Sequence, residues 1–590
     1  MRRTRIAALA AVTCVALIAA GCGSSNDNKK TASGSAATTA PANAKKGGTL
    51  TMVSSGDVDN KLDPGYSYYQ FDFILDNDLH RTLLRYKPKD TSKPSPDLAE
   101  SEPVVSNNGK TVTVKIRQGV KFSPPVNREV TAADVKYAME RDFLPQVGNG
   151  YAKAYWGDII GSDAMASGKA KEISGITTPD KFTLKIQLKR PTASIVIGAM
   201  ALPGTAPVPK EYAAKYDEGK QSQYGLHLVT TGPYMVQNNS SGKITGYQPG
   251  RRITMVRNPN WDKSTDWRPA YLDKIVVEEG NDPNVGNRKI LNGQAMIGNP
   301  TDLSPTPPFL KQNINGPKKD QLIPSPYTGR VRYIALNTEV KPFTDINVRK
   351  AVFAGMNRAA MNLAFGGEVV GKVATHIIPP GVAGFEQAGG FKGPDLDYLK
   401  NPEGDPALAA SYLKKAGFSS GKYSGGSLLM VGDNSANQKA AATAALGSLE
   451  KLGFKVKYLP TTRDTMYSKY CGIPKSHTPI CPSVGWLKDF ADPQTMLDPT
   501  FNGKNIVASN SSNWPQLDVP TINQAMDKAE TVVGDSARAQ AWANIDKMVM
   551  EQAAAVTWQW DKPILVRSAD VNPVLNQANA AWDLSSMSLK

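Results

Sequence analysis

The sequence predicts an α/β protein with two or more lobes. Segments that alternate apolar and polar residues, as half-buried strands do, recur from residues 49–54 to residues 454–458. Helical segments lie among them along the whole chain, from residues 131–142 to residues 535–554. Residues 47–590 form a body far longer than a single hydrophobic core usually supports. Strands and helices mixed over such a length indicate several α/β lobes.

In the first half, the alternating pattern predicts five strands, at residues 49–54, 112–117, 182–188, 253–257 and 274–278. Between the second and third of these, residues 131–142 begin with Thr131 and carry Asp134 three places later. A hydroxyl cap followed by a carboxylate satisfies the first free amides of a helix. We therefore expect a helix to start at Thr131.

The second half alternates in the same way. Strands are predicted at residues 331–336, 427–431 and 454–458, and helices at residues 345–364, 437–452 and 535–554. Val348, Val352 and Met356 recur at four-residue spacing, which places them on one face of a single helix. Trp542 and Val549 are expected to face inward from the last helix.

The N-terminus has the features of an export signal. Arg2, Arg3 and Arg5 precede the apolar residues 6–20, a run too short for a membrane span of roughly 20 residues. The run ends in Ala-Ala-Gly-Cys at Cys22, which resembles the bacterial lipoprotein signal. That resemblance implies cleavage before Cys22, acylation of its thiol and a lipid-anchored protein on the outer face of the cell membrane. An ordinary secretory leader is the alternative.

Residues 23–46 lack large apolar side chains, and this composition predicts a flexible linker between anchor and body. The body keeps a formal charge of about +10. Its lysines and arginines are scattered and not interleaved with aromatics, which argues against a nucleic-acid partner. Attraction to anionic lipid or wall polymer is the simpler interpretation.

Two cysteines remain in the body, Cys471 and Cys481. In an oxidising compartment this spacing predicts a disulfide that closes a short loop. A metal site is the alternative, because His477 lies between them. The four histidines are otherwise dispersed, so we expect neither a metal nor a cofactor.

Seven segments, in order, resemble the dipeptide and oligopeptide family of extracytoplasmic solute-binding lipoproteins (family 5, actinobacterial type). They are GGTLTM (47–52), LDPGYSY (62–68), PDLAESEP to YAMERD (97–142), TTGPYMV (230–236), ITMVRNPNW to DKIVV (253–277), ALNTEVKPF to NRAAM (335–361) and WLKDFADP (486–493). One departure is Pro124-Pro125, which stands where the family usually has a glycine after Phe122.

The resemblance implies a two-lobed periplasmic-binding-protein type II fold with discontinuous lobes. It places the first lobe at residues 47–326, with an extra subdomain at about 90–230, and the second lobe at 327–552. Residues 553–590 then return to the first lobe, through a strand expected at 559–566.

The resemblance also implies a monomeric, non-catalytic receptor of an ABC importer, which captures short peptides by lobe closure and delivers them to membrane permease subunits. The common hydrolase, zinc and nucleotide-binding motifs are absent from the sequence. An oligosaccharide or another small solute is the alternative ligand, since the chain has 9 Trp and 21 Tyr. A peptide sensor is the alternative role.

In peptide-binding members of that family, the acid of a Trp-x-x-Asp string pairs with the ammonium group of the ligand. Here that string is Trp486 to Asp489, so Asp489 is the candidate for the ammonium and Trp486 for the adjoining wall. Asp489 could instead cap a turn or pair with Lys488. The loop carrying Tyr66, Tyr68 and Tyr69 is the second expected contact region, and a packing role is the alternative for each ring. The sequence assigns no residue to the ligand carboxylate.

Overall fold

The computed structural model describes residues 37–58 and 62–590. The leader with Cys22 and the first part of the linker lie outside the described residues. Residues 37–46 of the linker form neither helix nor strand, and the carbonyl oxygen of Ala37 accepts a hydrogen bond from the Leu575 amide (2.9 Å). No helix in the described part of the chain is long and apolar enough to span a membrane.

The first lobe is built on a mixed sheet of six strands. Its strands are, in spatial order, Ile297–Gly298, Thr49–Val53, Lys274–Glu278, Arg252–Arg257 and Tyr234–Val236, with Tyr247–Gln248 also paired to Arg252–Arg257. Thr49–Val53 runs parallel to both of its neighbours, and Leu50, Met52 and Val53 are buried. The three strands predicted for this sheet are therefore confirmed.

The second lobe is built on another six-stranded sheet. Its spatial order is Gly371–Lys372, Ala555–Asp561, Arg330–Leu336, Ile480–Leu487, Leu428–Asp433 and Val456–Thr461. Every residue of Ala555–Asp561 is buried, because this strand has a neighbour on both sides and core on both faces. The strand predicted at 454–458 begins two residues later, because Phe454 still closes the preceding helix. Its backbone N–H donates a hydrogen bond to the carbonyl oxygen of Leu449 (3.1 Å).

The chain crosses between the lobes twice, and the two crossings lie side by side. Leu322–Pro324 pairs antiparallel with Ile564–Val566 on the return path. The prediction of a single strand at 559–566 is wrong. The segment divides into two strands at Pro563, because proline has no amide hydrogen to continue the hydrogen-bond ladder. Residues before this break pair within the second sheet. We therefore place the return to the first lobe after Asp561, later than the boundary at 553 expected from the sequence.

The extra subdomain contains a four-stranded antiparallel sheet in the order Val104–Ser106, Thr111–Lys115, Thr183–Gln187 and Ile176–Asp180. The predicted helix against this sheet runs from Ala132 to Arg141. Asp134 accepts hydrogen bonds from the amide (2.8 Å) and hydroxyl (2.9 Å) of Thr131, so the predicted helix start is confirmed. Arg128 holds the same carboxylate at 2.6 Å.

The helix predicted over 345–364 is in fact two helices, Ile346–Gly355 and Arg358–Phe365. The Asn357 side chain accepts a hydrogen bond from the Ala360 amide (2.7 Å) and so caps a second helix. Val348, Val352 and Met356 are buried as expected, because the first helix alone carries that apolar face.

The remaining α-helices are Gln70–Leu79, Ala152–Trp156, Ser162–Ala166, Ala193–Ala199, Lys210–Ala213, Pro283–Leu291, Pro307–Asn313, Pro406–Lys415, Ala436–Lys451, Arg463–Thr465, Gln494–Phe501, Pro520–Ala529 and Asp535–Glu551. Short strand pairs are Leu84–Arg85 with Ser95–Pro96, Val571–Asn572 with Ser588–Leu589, and Leu575–Asn576 with Ala581–Trp582.

Each lobe has its own hydrophobic core. The second-lobe core contains Trp542, Trp558 and Trp560, all fully buried. The first-lobe core includes Trp582 and Met587 from the last segment of the chain. The predicted α/β class is confirmed.

Candidate ligand-binding site

Asp489 lies where the second lobe meets the first. It follows the strand Ile480–Leu487, and the amide of Lys488 still pairs with the carbonyl oxygen of Gly329 (3.0 Å). The next residue, Phe490, is buried in the first-lobe core with its ring centroid 5.1 Å from that of Tyr155. The acid is therefore held between an anchored strand and an anchored ring.

Two tyrosine hydroxyls donate hydrogen bonds to the Asp489 carboxylate: Tyr68, at 3.0 Å, and Tyr155 from the extra subdomain. Burial removes hydration from the carboxylate and raises its pKa to about 7, although the two hydroxyls lower it. Near neutral pH the group is thus divided between its ionised and protonated forms.

The alternative pairing of Asp489 with Lys488 is not formed. No charged group among the described residues contributes to the pKa of Lys488, which burial lowers to about 8. The lysine stem lies across Gly329, where a Cβ would lie 2.6 Å from Cδ and φ is +86°. A glycine is needed at that position because the side chain occupies the space, and the backbone conformation is one that L side chains rarely adopt.

A pocket lies beside these residues. The first lobe lines it with Gln70, Phe73, Asp76 and Tyr86, among others, and the second lobe with Leu487, Lys488 and Asp489. The Tyr86 hydroxyl accepts a hydrogen bond from the Ala491 amide (3.0 Å), which ties the two walls together. Two of the lining residues, Asp489 and Lys488, carry opposite charges that are not paired with each other.

Trp486 lies behind the acid and is not among the residues that line this pocket. Its indole N–H donates to the carbonyl oxygen of Thr495 (2.6 Å). Its ring packs edge-on against Tyr68, with centroids 5.8 Å apart. Trp486 therefore positions a hydroxyl donor of Asp489, and the ring wall expected from the sequence is supplied by Phe73 and Tyr86.

The three tyrosines of the loop occupy different places. Tyr68 contacts Asp489, as described. The Tyr69 hydroxyl donates to Asp302 (2.5 Å) and accepts from Arg463 of the second lobe. The ring of Tyr66 lies beside Gly148 and is not among the residues lining the pocket. The loop thus brings together two of the three rings with the opposite lobe.

Ion pairs between the lobes accompany this arrangement. Arg463 of the second lobe lies between Asp302 of the first (2.6 Å) and Asp433 (2.8 Å), and both acids are buried. At another edge, Arg190 of the first lobe contacts Glu530 of the second (2.5 Å). These pairs favour the closed conformation of the two lobes.

Cys471 and Cys481 are joined by a disulfide. Their sulfurs are therefore not free to hold a metal. The described residues contain one acidic group with metal-like spacing, formed by Asp498, Asp527 and Glu530. The Lys504 ammonium lies within 3.2 Å of all three carboxylates, so a cation of the chain already occupies this cluster.

Sequence reasoning missed four of the site residues. Tyr155 and Tyr86 belong to no motif, and Asp76 lies within an ordinary helix. Lys488 was visible next to Asp489, but the sequence offered it only as a pairing partner. Its lack of a charged partner follows from how the strand and Gly329 direct the side chain.

Comparison with known proteins identifies the family. Residues 93–507 match the profile of the bacterial extracellular solute-binding proteins, family 5 middle region. The chain is 26% identical over 434 residues to di/tripeptide-binding protein 1 of Pseudomonas aeruginosa, covering 72% of this chain and 73% of the relative. It is 28% identical over 447 residues to the oligopeptide-binding protein OppA of Bacillus subtilis, covering 74% of each.

Among solved structures, the clavulanic acid biosynthesis oligopeptide binding protein 2 superposes with a TM-score of 0.77 at 27% identity. The match covers 92% of this chain and 96% of that structure, which confirms the expected two-lobed type II fold. The profile alone spans well over half of the chain. The chain therefore belongs to family 5 of the bacterial extracellular solute-binding proteins.

Proposed function

We propose that this protein captures short peptides by closing its lobes and delivers them to an ABC permease, without chemical turnover. The similar proteins named above are di/tripeptide- and oligopeptide-binding proteins, which supports a peptide ligand. Peptides share a free ammonium, a carboxylate and a polar backbone, so a receptor must bind these common groups.

The observation that carries the proposal is the environment of Asp489. Its carboxylate lies at the contact of the two lobes and is held by two hydroxyl donors, and no cation among the described residues is paired with it. Hydroxyls fix the direction of the carboxylate without neutralising its charge. A ligand ammonium would therefore make a charge-assisted hydrogen bond in a largely dehydrated site.

Lys488 is the candidate for the ligand carboxylate. Lys488 lines the same pocket, and its ammonium has no charged partner among the described residues. Arg85, the other cation that lines this pocket, is already bound to Asp97 (3.0 Å) and to the carbonyl oxygens of Asn77 (2.8 Å) and His80 (2.7 Å). The anionic end of a short ligand would meet less competition at Lys488.

Calorimetric titration with a free tripeptide, an N-acetylated tripeptide and a C-amidated tripeptide tests these assignments. Asp489→Asn is expected to weaken binding of the free peptide by about 2–5 kcal/mol, since it leaves the buried ammonium of the ligand unpaired. Acetylation of the peptide amine should weaken binding to the wild type by a similar amount, and binding to Asp489→Asn by little. Amidation of the peptide carboxylate should weaken binding to the wild type more than it weakens binding to Lys488→Met. Equal affinities for free and acetylated peptides in the wild type would refute the ammonium assignment.

The proposed anchor is tested separately. If Cys22 carries the lipid, Cys22→Ser should move the protein from the membrane fraction into the medium. Retention of Cys22→Ser in the membrane fraction would show that another element holds the protein there. Mass spectrometry of any solute that co-purifies with the wild type would identify the natural ligand.

A further inference from the structure

The helix Gln70–Leu79 presents one face to the pocket. Gln70, Phe73, Asp76 and Asn77 all line it, and their spacing of three and four residues is that of a single helical face. Lys488 and Asp489 of the second lobe line the same pocket. A ligand held at Asp489 is therefore placed against the helix.

Asp76 is the unusual residue on this face. Only 5% of its surface is exposed, and its Oδ2 atom has no hydrogen-bond partner in the described part of the chain. Burial raises its pKa to about 7, with a smaller contribution in the same direction from nearby Asp63. The Ser67 hydroxyl and the Arg85 guanidinium lower it, and neither removes the need for a partner at Oδ2.

Arg85 and His80 lie near Asp76, but neither is available as a partner for its Oδ2 atom. Arg85 is committed to Asp97 (3.0 Å) and to the carbonyl oxygens of Asn77 (2.8 Å) and His80 (2.7 Å). The His80 ring lies 3.9 Å from the other oxygen of Asp76, and burial lowers the pKa of His80 to about 3, so the ring is neutral. The pocket lining thus includes a second acid, one of whose oxygens has no hydrogen-bond partner among the described residues.

We propose that Asp76 binds a cationic side chain on the first residue of the peptide, so that the receptor prefers peptides beginning with lysine or arginine. The inference rests on the proposed function. When the ligand ammonium pairs with Asp489 and its carboxylate with Lys488, Asp76 is the remaining acid of the pocket lining, and its Oδ2 atom has no partner among the described residues. A basic side chain supplies the opposite charge and a donor for Oδ2 together.

The test compares three peptides that differ only in their first residue: Lys-Ala-Ala, norleucine-Ala-Ala and Gln-Ala-Ala. Titrations are run at about pH 8, above the pKa of both acids. Norleucine keeps the methylene chain of lysine without its charge, and glutamine keeps a neutral donor. The wild type is expected to bind the lysine peptide on the order of tenfold more tightly than either of the others.

Asp76→Asn should reduce this preference to within about twofold. Asp78→Asn is the matched control, since Asp78 is a buried acid on the same helix whose pKa is also raised to about 7. Asp78 bonds to Ser585 and is not among the residues that line the pocket. The control should therefore keep the lysine preference.

The outcomes separate this inference from the proposed function. If acetylation of the amine abolishes binding but lysine, norleucine and glutamine peptides bind alike, Asp489 retains its role and the inference about Asp76 is wrong. Equal binding of the lysine and glutamine peptides shows recognition of a neutral donor and also refutes it. If no peptide binds, the proposed function fails first. The wild-type comparison decides even if Asp76→Asn does not fold.

Discussion

Peptide affinity is expected to fall steeply as the pH is lowered from about 8 to about 5.5, because Asp489 must be ionised to bind an ammonium. Burial raises its pKa to about 7 in the unliganded protein. Below that value a proton occupies the carboxylate, and the peptide must displace it. The direction follows from the raised pKa, since an aspartate with its ordinary value would stay ionised over this range.

The magnitude follows from the protonated fraction. At about pH 5.5 a group with this pKa is about 97% protonated, so protonation of Asp489 alone should weaken the affinity about 30-fold relative to pH 8, or about 2 kcal/mol. The net change from pH 8 should be about 15-fold, because about half of the peptide ammonium groups have lost their proton at pH 8. The peptide ammonium has a pKa of about 8, so binding should weaken again above that value. The expected profile has its maximum between about pH 7 and 8.

The assay is calorimetric titration of Ala-Ala-Ala across this range, with Asp489→Asn as the control. An alanine-first peptide avoids any contribution from Asp76, whose pKa is also raised to about 7. Tyr68 and Tyr155, the donors to Asp489, stay protonated because their pKa values are raised well above 10.0. Lys488 stays largely charged below about pH 8. A flat profile in the wild type, or the same slope in Asp489→Asn, would refute the reasoning.

Two further predictions concern the closed conformation and the disulfide. Arg463→Gln leaves two buried acids without their shared cation, so the free energy of unfolding should fall by about 2–4 kcal/mol in chemical denaturation. Lys181→Gln, which breaks an exposed pair, should cost less than about 1 kcal/mol, and equal losses would contradict the argument. Replacing both Cys471 and Cys481 by serine opens a loop of ten-residue separation and should cost about 2–3 kcal/mol. A reducing agent should lower the thermal midpoint of the wild type and leave that of the double variant unchanged; a shift in both would show another target.

The local elements were largely predictable. The helix start at Thr131 depends on Asp134, three residues away, and both were visible in the sequence. The division at Pro563 could have been found, because a proline cannot donate to a strand ladder. The break at Asn357 was harder to find, since the apolar spacing of the first helix continues up to Met356.

The binding site was predictable only in part. The resemblance to a Trp-x-x-Asp string pointed to Asp489, but its two hydroxyl donors come from elsewhere in the chain. Tyr155 lies 334 positions away along the chain, and Tyr68 lies 421 positions away. The sequence on either side of residue 489 therefore does not indicate either donor.

The sequence alone determined the α/β class, the order of most elements and a candidate acid. These features depend on residues close together in the chain, whose spacing sets helix caps, strand alternation and motifs. The tertiary structure decided that Trp486 supports Tyr68, that Lys488 does not pair with Asp489, and that Asp76 faces the same pocket. Burial and charge pairing arise from contacts between distant segments. The pKa values of the candidate site, and the charged groups left without a partner there, are therefore set only once both lobes are folded.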